Sequence, residues 1–288
     1  MKKLKTYSGR RISSKFKGFL RNIPIHILMI VVAIIFLFPF IWMILSSVKP
    51  DSEILNNLAT FLPQAPTFEN YKFAFEAVPL VRNFLNSIFI AVSSTLLSLF
   101  FTSLGGFAFA KFDFPGKNIL FSLMLGTMMI PTVVGIVPSF LVMSWLGWVD
   151  KLASVIIPGV ASAFGIFFMR QYISSVPNDL LDAAKIDGCS DFRIYYQIVL
   201  PIIMPALVTI AIMDFFGSWN SYLWPLIMLR SLKKFTVVLA VTAFPSARFS
   251  PPWGAIMAGT TLSVLPLIIV FIVLQNHFKP GSYAGTIK

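Results

Sequence analysis

The chain has 288 residues, 57% of them hydrophobic and 12% charged, with a net charge of +12. A soluble domain carries about 25% charged residues, so this chain would expose too much apolar surface in water, and its 30 Phe exclude a disordered segment. Its single cysteine, Cys189, excludes an internal disulfide and a cysteine-based metal cluster.

The first 24 residues contain Lys2, Lys3, Lys5, Arg10, Arg11, Lys15, Lys17 and Arg21 and no acid. Ahead of an apolar stretch, such a tail reads as a membrane-flanking segment facing anionic lipid rather than as a nucleic-acid arm. A helix needs about 20 apolar residues to cross a bilayer. Runs free of Asp, Glu, Lys and Arg cover 22–48, 83–110, 118–149, 152–169, 194–213 (continuing past Asp214 to 229) and 249–278. They predict an all-α membrane protein with six transmembrane helices. None alternates in the pattern of an outer-membrane barrel.

In chain order, residues 1–24 form a basic cytoplasmic tail and 25–47 the first span. The apolar core of that span exceeds the about 7–15 residues of a signal peptide, so it reads as a retained anchor. An external segment, 48–80, holds Pro50, Pro63, Pro66 and Pro79, which exclude a long helix. A five-span core, 81–278, carries an inner loop at 175–197, and 279–288 is a cytoplasmic C-terminal tail. The outer segment from about 230 to 254, with Pro245, Pro251, Pro252 and Trp253, predicts a loop lying on the membrane surface. With the N-terminus inside, inner segments carry 15 Lys and Arg and outer segments 8, which places both termini in the cytoplasm.

The chain has no phosphate-binding G-x-x-x-x-G-K-[ST]; Pro115-Gly116-Lys117 lacks the upstream glycine. It has no HExxH, no Cys/His ligand set and no G-x-S-x-G, and His26 and His277 lie at opposite ends. The expectation is a non-enzyme that binds no cofactor or metal itself. Uphill movement of a solute would then draw on an ion gradient or on another subunit.

The inner loop reads Pro177-Asn178-Asp179-Leu180-Leu181-Asp182-Ala183-Ala184-Lys185-Ile186-Asp187-Gly188. Asn178 is a suitable N-cap, Asp179 and Asp182 suit the positive end of a helix, and Gly188 suits a left-handed C-terminal cap. Leu180, Ala183, Ala184 and Asp187 share one face, mostly small and apolar. A short capped helix follows, either lying among the headgroups or docking on a partner.

Within the spans, Asp214 sits near the middle of the fifth, where a carboxylate is costly and must face the bundle or a wet cavity. It reads as a pathway residue or as a carboxyl paired with a neighbour. Trp219, Asn220, Tyr222 and Trp224 follow; they read as sugar-stacking and hydroxyl-pairing groups or as an interfacial aromatic belt. Pro131, Pro138, Pro158, Pro201, Pro205, Pro225 and Pro266 suit spans that bend around a central path.

The inner loop resembles the motif of binding-protein-dependent ABC transporter permeases: E-A-A, three residues, G, nine residues, I-x-L-P. Here it stands as Asp182-Ala183-Ala184, Gly188 and Ile198-Val199-Leu200-Pro201, with Asp182 in place of the usual Glu. Phe38-Pro39-Phe40-Ile41-Trp42, Ser47-Val48-Lys49-Pro50 and Pro66-Thr67-Phe68-Glu69-Asn70-Tyr71 are similar to the maltose-type, carbohydrate-specific branch. So are Gly106 to Lys117, Trp219-Asn220, Pro225, Met257-Ala258-Gly259 and Leu265-Pro266.

The resemblance implies a six-span subunit with the type-I ABC importer permease fold, in a bacterial or archaeal inner membrane. Its partners would be a second, different permease, two ATPase subunits carrying ATP-Mg, and an extracytoplasmic sugar-binding protein. It implies a coupling helix that touches the ATPase through Asp182, Ala183, Ala184, Asp187 and Gly188, followed by Ile198, Leu200 and Pro201. Asp214, Trp219, Asn220 and Tyr222 are the candidate substrate-path residues. The alternatives are an ion-coupled transporter or channel using Asp214, and an ABC permease for a non-sugar polar solute.

Overall fold

A computed structural model describes residues 8–56, 60–245 and 251–274. The first helix, α1 (Ser8–Ser47), is 40 residues long and passes through Pro24 and Pro39 without interruption. It starts well before the first span, so the basic segment from Ser8 onward continues the same helix. Its membrane-length portion, Ile23–Ser47, is almost wholly exposed along its apolar length (Phe36 71%), as a lipid-facing helix must be. The external segment forms two short helices, α2 (Asp51–Asn56) and α3 (Glu69–Ala77), as its prolines require.

The central element is α4 (Leu80–Lys111), 32 residues long. At 1.5 Å per residue it reaches roughly 48 Å, beyond the about 30 Å hydrocarbon core. Its buried face is small and polar (Ser87, Ala91, Ser98, Thr102, Gly106), which allows close helix approach.

The third span is broken. α5 (Lys117–Thr127) gives way at Pro131 to a 3-10 turn, Thr132–Gly135, and α6 (Ile136–Trp145), bent by 97°. The fourth runs from α7 (Ala153–Ile156) through a 3-10 turn at Pro158 to α8 (Ala163–Ser174), bent by 42°. Next follow α9 (Asn178–Ile186) and α10 (Asp191–Ile194), then a π-helical stretch Tyr195–Val199 and α11 (Leu200–Ile202). A 79° bend at Ile203, between Pro201 and Pro205, leads into α12 (Met204–Trp219). α13 (Leu223–Met228), α14 (Val237–Thr242) and α15 (Trp253–Leu274) complete the described chain.

With each bent pair taken as one span, the helices make six crossings, matching the six uncharged runs. Proline breaks the helix at Pro131, Pro158 and Pro201–Pro205, yet Pro24, Pro39 and Pro266 sit inside continuous helices.

The outer segment after α13 differs from expectation. Only part of it stays at the surface: the 3-10 turn Leu232–Lys234 has no buried residue, whereas α14 folds inward and buries Val237, Leu239 and Ala240. Side chains of α4 draw it in. Asn83 Nδ2 donates to the carbonyls of Leu232 and Phe235 (2.8 and 3.0 Å), and Asn86 Nδ2 to those of Lys233 and Phe235 (3.0 and 3.1 Å). The Ser87 hydroxyl accepts the Val237 N–H at 2.8 Å. Residues 246–250, including Arg248, and the tail with Lys279 and Lys288 lie outside the described residues.

The loop between α6 and α7 clasps the same segment. Asp150 has a left-handed backbone, φ 60°, and its Oδ1 accepts the N–H groups of Arg230 and Ser231. Its Oδ2 accepts the Ser231 hydroxyl at 2.6 Å and the Lys234 ammonium at 3.0 Å. Burial alone would raise the pKa of this carboxyl; the bonds from Ser231, Arg230 and Lys234 outweigh it and hold the carboxyl well below the usual carboxylate range.

Candidate functional site

The surface expected to face inward is built around α9. The chain enters it from Pro177, whose extended backbone occupies the cap position, so Asn178 is the first helical residue rather than the cap. The Asn178 side chain is used elsewhere: its Oδ1 accepts from Lys111 Nζ at 2.8 Å. At the other end the Cys189 N–H reaches the Ala184 carbonyl (2.9 Å) and the Gly188 N–H the Lys185 carbonyl (3.0 Å). That pair of bonds is the Schellman closure, and it requires the left-handed φ of 78° that Gly188 adopts.

The expected face is divided by the fold. Ala184 turns inward with Leu181, both 6% exposed, onto the cluster of Phe107, Ile173 and Val176. Asp182, Ala183, Asp187 and Gly188 remain exposed beside Leu180. Ile186 is 87% exposed and Phe192 65%, so the inner surface presents an apolar, acid-flanked platform. Ile186 and Phe192 were not read as site residues, since nothing in their local pattern separates an outward from an inward apolar side chain.

Ile198, Leu200 and Pro201 lie away from this platform. Ile198 and Leu200 pack on the inner core, and Pro201 forms part of the bend at Ile203. They belong to the joint between α9 and α12. The Tyr195 hydroxyl, buried, pairs with the Ser103 hydroxyl of α4 at 2.7 Å, fixing the π-helical stretch to the central span.

The candidate path residues are not brought together. Trp219 is 1% exposed, stacked on Phe215, and its Nε1 donates to the Ser263 carbonyl at 3.1 Å. In this conformation it fills the outer core. Asn220 is exposed, and its Nδ2 returns to the Phe216 carbonyl. Tyr222 is 39% exposed. Trp224 Nε1 donates to the Ser154 carbonyl at 2.9 Å. Asp214 is half-buried and faces Ser98 of α4. Its Oδ2 and the hydroxyls of Ser94, Thr95 and Ser98 are buried without a hydrogen bond of good geometry among the described residues.

The stretches Ser47-Val48-Lys49-Pro50 and Pro66 to Tyr71 meet at the outer end of α1. Asn70 Nδ2 donates to the carbonyls of Ser47 (2.9 Å) and Lys49 (2.7 Å), and the Tyr71 and Ser47 hydroxyls pair at 2.7 Å. Lys49, 2% exposed, donates to the Thr60 carbonyl. Among the described residues no group of His, Cys, Asp and Glu could hold a metal ion.

Six crossings with three broken spans and an exposed, capped inner helix define a multi-pass transport component of a membrane. Comparison with known proteins makes this specific. The sequence profile of binding-protein-dependent transport system inner membrane components matches residues 102–282, and the chain belongs to that family. It is 36% identical over 271 residues to the arabinooligosaccharides transport system permease protein AraQ of Bacillus subtilis, covering 93% of this chain and 96% of that one. It is 34% identical over 256 residues to the lactose transport system permease protein LacG of Rhizobium radiobacter, covering 89% and 92%. A solved bacterial ABC transporter that imports the acidic polysaccharide alginate contains a chain of the same fold. There the TM-score is 0.79 at 25% identity, over 93% of this chain and 98% of that one. The all-α permease fold read from the sequence is therefore the observed one.

Proposed function

We propose that the chain is a permease subunit of an ATP-driven, binding-protein-dependent importer of oligosaccharides, and that α9 is its coupling helix. The observation that carries the reading is the exposed, Schellman-closed α9 with Asp182, Ala183 and Gly188 on its free side. The relatives named for arabinooligosaccharides, lactose and diacetylchitobiose support a sugar as cargo. A second, different permease completes the path, and two ATPase subunits bind ATP-Mg. An extracytoplasmic binding protein delivers the sugar, and both termini of the chain lie in the cytoplasm. Closure of the ATPase pair pushes α9. The joint at residues 195–203 passes the push to α12, which carries Asp214.

Gly188→Val tests the reading. A β-branched residue at φ 78° is strained by roughly 1–2 kcal/mol, although nothing lies within 4 Å of where a Cβ would stand. The defect is therefore one of backbone geometry alone. The variant should insert normally, retain its ATPase poorly and transport slowly at equal membrane abundance. Asp182→Ala should do the same more mildly. In proteoliposomes uptake should need the ATPase subunits and survive a protonophore. Full ATPase retention and full uptake in Gly188→Val would remove the coupling role from this loop.

A further inference from the structure

We propose that Lys111 is a positioning residue for coupling: its ammonium pins the entry of α9 to the inner end of α4, so that a push on α9 is delivered to the α4–α8 pair. Lys111 Nζ donates to the Val176 carbonyl at 2.6 Å and to Asn178 Oδ1 at 2.8 Å. Val176 follows the last turn of α8, and Asn178 opens α9, so one side chain holds the corner between them. A cation suits the C-terminal end of α8, where carbonyls lack helical partners.

The corner is braced from the other side. Arg170 of α8 donates through Nε to the Phe109 carbonyl of α4 at 3.3 Å, and its guanidinium lies 4.0 Å from the centre of the Phe121 ring. Each helix thus lends a cation to the other's backbone. Between them, α4 and α8 are in direct contact: a Cβ on Gly106 would stand 2.5 Å from Met169 Cβ. Two helices packed this closely move as one body. The joint at 176–178 is then where α9 can swing against that body, and Lys111 spans it. Further along, the Ser103–Tyr195 bond fixes the chain that leaves α9 to the same span. The coupling helix is a strut pinned near both ends to α4.

This inference rests on the coupling reading of α9. The test uses the full complex with Lys111→Met, which keeps the stem and removes the ammonium, and Lys111→Arg, which restores a donor. The first measurement is ATP hydrolysed per sugar imported. The second is maleimide labelling of Cys189, which is partly buried against the inner core just beyond α9. Labelling is followed in inverted vesicles with the ATPase bound and after it is washed off.

Lys111→Met should raise both the ATP used per sugar and the labelling rate by about tenfold, the scale of one charge-assisted hydrogen bond. Lys111→Arg should recover most of each. Should Lys111→Met fail to accumulate, Asn178→Ala removes one acceptor and should give a smaller change of the same kind. Faster labelling at an unchanged ATP-to-sugar ratio would make Lys111 a packing residue only, and overturn the proposal. So would a raised ratio with unchanged labelling, or no change in either. Failure of the coupling reading itself shows separately, as full uptake in Gly188→Val.

Discussion

The outer and inner ends of this helical bundle are fastened by different means. At the outer end, asparagine and aspartate side chains reach across the chain to backbone groups: Asn70 to residues 47–49, Asn83 and Asn86 to 232–235, Asp150 to 230–231. Of the residues they hold, Ser47 and Lys49 are buried, while 230–235 lie at or near the surface. At the inner end α9 lies mostly open, pinned through Lys111 on one side and Tyr195 on the other. Many short polar ties between distant segments make a frame. α9, seated through Leu181 and Ala184 and open on its other face, has fewer such ties. The difference sets a cross-tied end against an end that presents an exposed helix.

The largest effect should come from the contact on which both ends depend. Gly106→Leu drives a side chain into Met169 and the Arg170 backbone, where even a Cβ stands 2.5 and 2.9 Å away. Overpacking of this kind costs about 3 kcal/mol, and the variant should be recovered at low abundance with early thermal unfolding in detergent. Recovery at wild-type level would show that α4 and α8 are not a single body.

Next comes the frame. Asn83 is fully buried, and Asn83→Ala leaves the Leu232 and Phe235 carbonyls without its bonds. The loss should be about 2 kcal/mol, seen as a lower thermal midpoint and faster proteolysis between α13 and α14. α9 should be untouched, so if it couples as proposed, ATPase retention by the surviving protein should match wild type.

Asp150 should matter less, since its side chain is 25% exposed. Asp150→Asn keeps a residue that tolerates the left-handed backbone and removes the charge, for about 1 kcal/mol or less. Because the folded carboxyl is held below its unfolded value, its contribution is complete above the ordinary carboxylate range. It is lost only as the pH falls through the lowered value. The gap between wild type and Asp150→Asn in thermal unfolding should therefore be the same near neutrality and at about pH 5. A gap that closes on mild acidification would mean that the clasp does not form. The smallest effect belongs to the lipid-facing helix, where Ile34→Leu should shift stability by less than about 0.5 kcal/mol.

The sequence shows its crossings because lack of charge over about 20 residues is a direct demand of the bilayer. The turn at Gly188 is equally legible, since a left-handed position names its own residue. Which way an apolar side chain faces is not legible, because lipid and protein core are both apolar. Hence α14 was expected on the surface and lies buried, and Ala184 was grouped with the exposed Asp187 and turns inward. Asn178 shows a further limit. Its local pattern fits a helix cap, but the Lys111 ammonium arrives from a helix end far away in sequence and takes its oxygen. Trp219 reads as a sugar-stacking or an interfacial aromatic, and in this conformation a carbonyl of α15 accepts its N–H.

One helix carries two kinds of constraint, and evolution should treat its halves differently. Along residues 25–41 of α1 the side chains are exposed and mostly apolar, and lipid accepts any apolar residue of similar length there. At its other end Ser46 and Ser47 are buried; Ser47 bonds Tyr71 and Asn70, and Asn70 also holds the Lys49 carbonyl. Among orthologues the lipid-facing stretch should drift freely within the apolar alphabet, nearly at the neutral rate. Ser47, Lys49, Asn70 and Tyr71 should change rarely, and then together. A graft of another protein's anchor onto residues 23–41 should be accepted, provided that the native exit from Trp42 onward is kept.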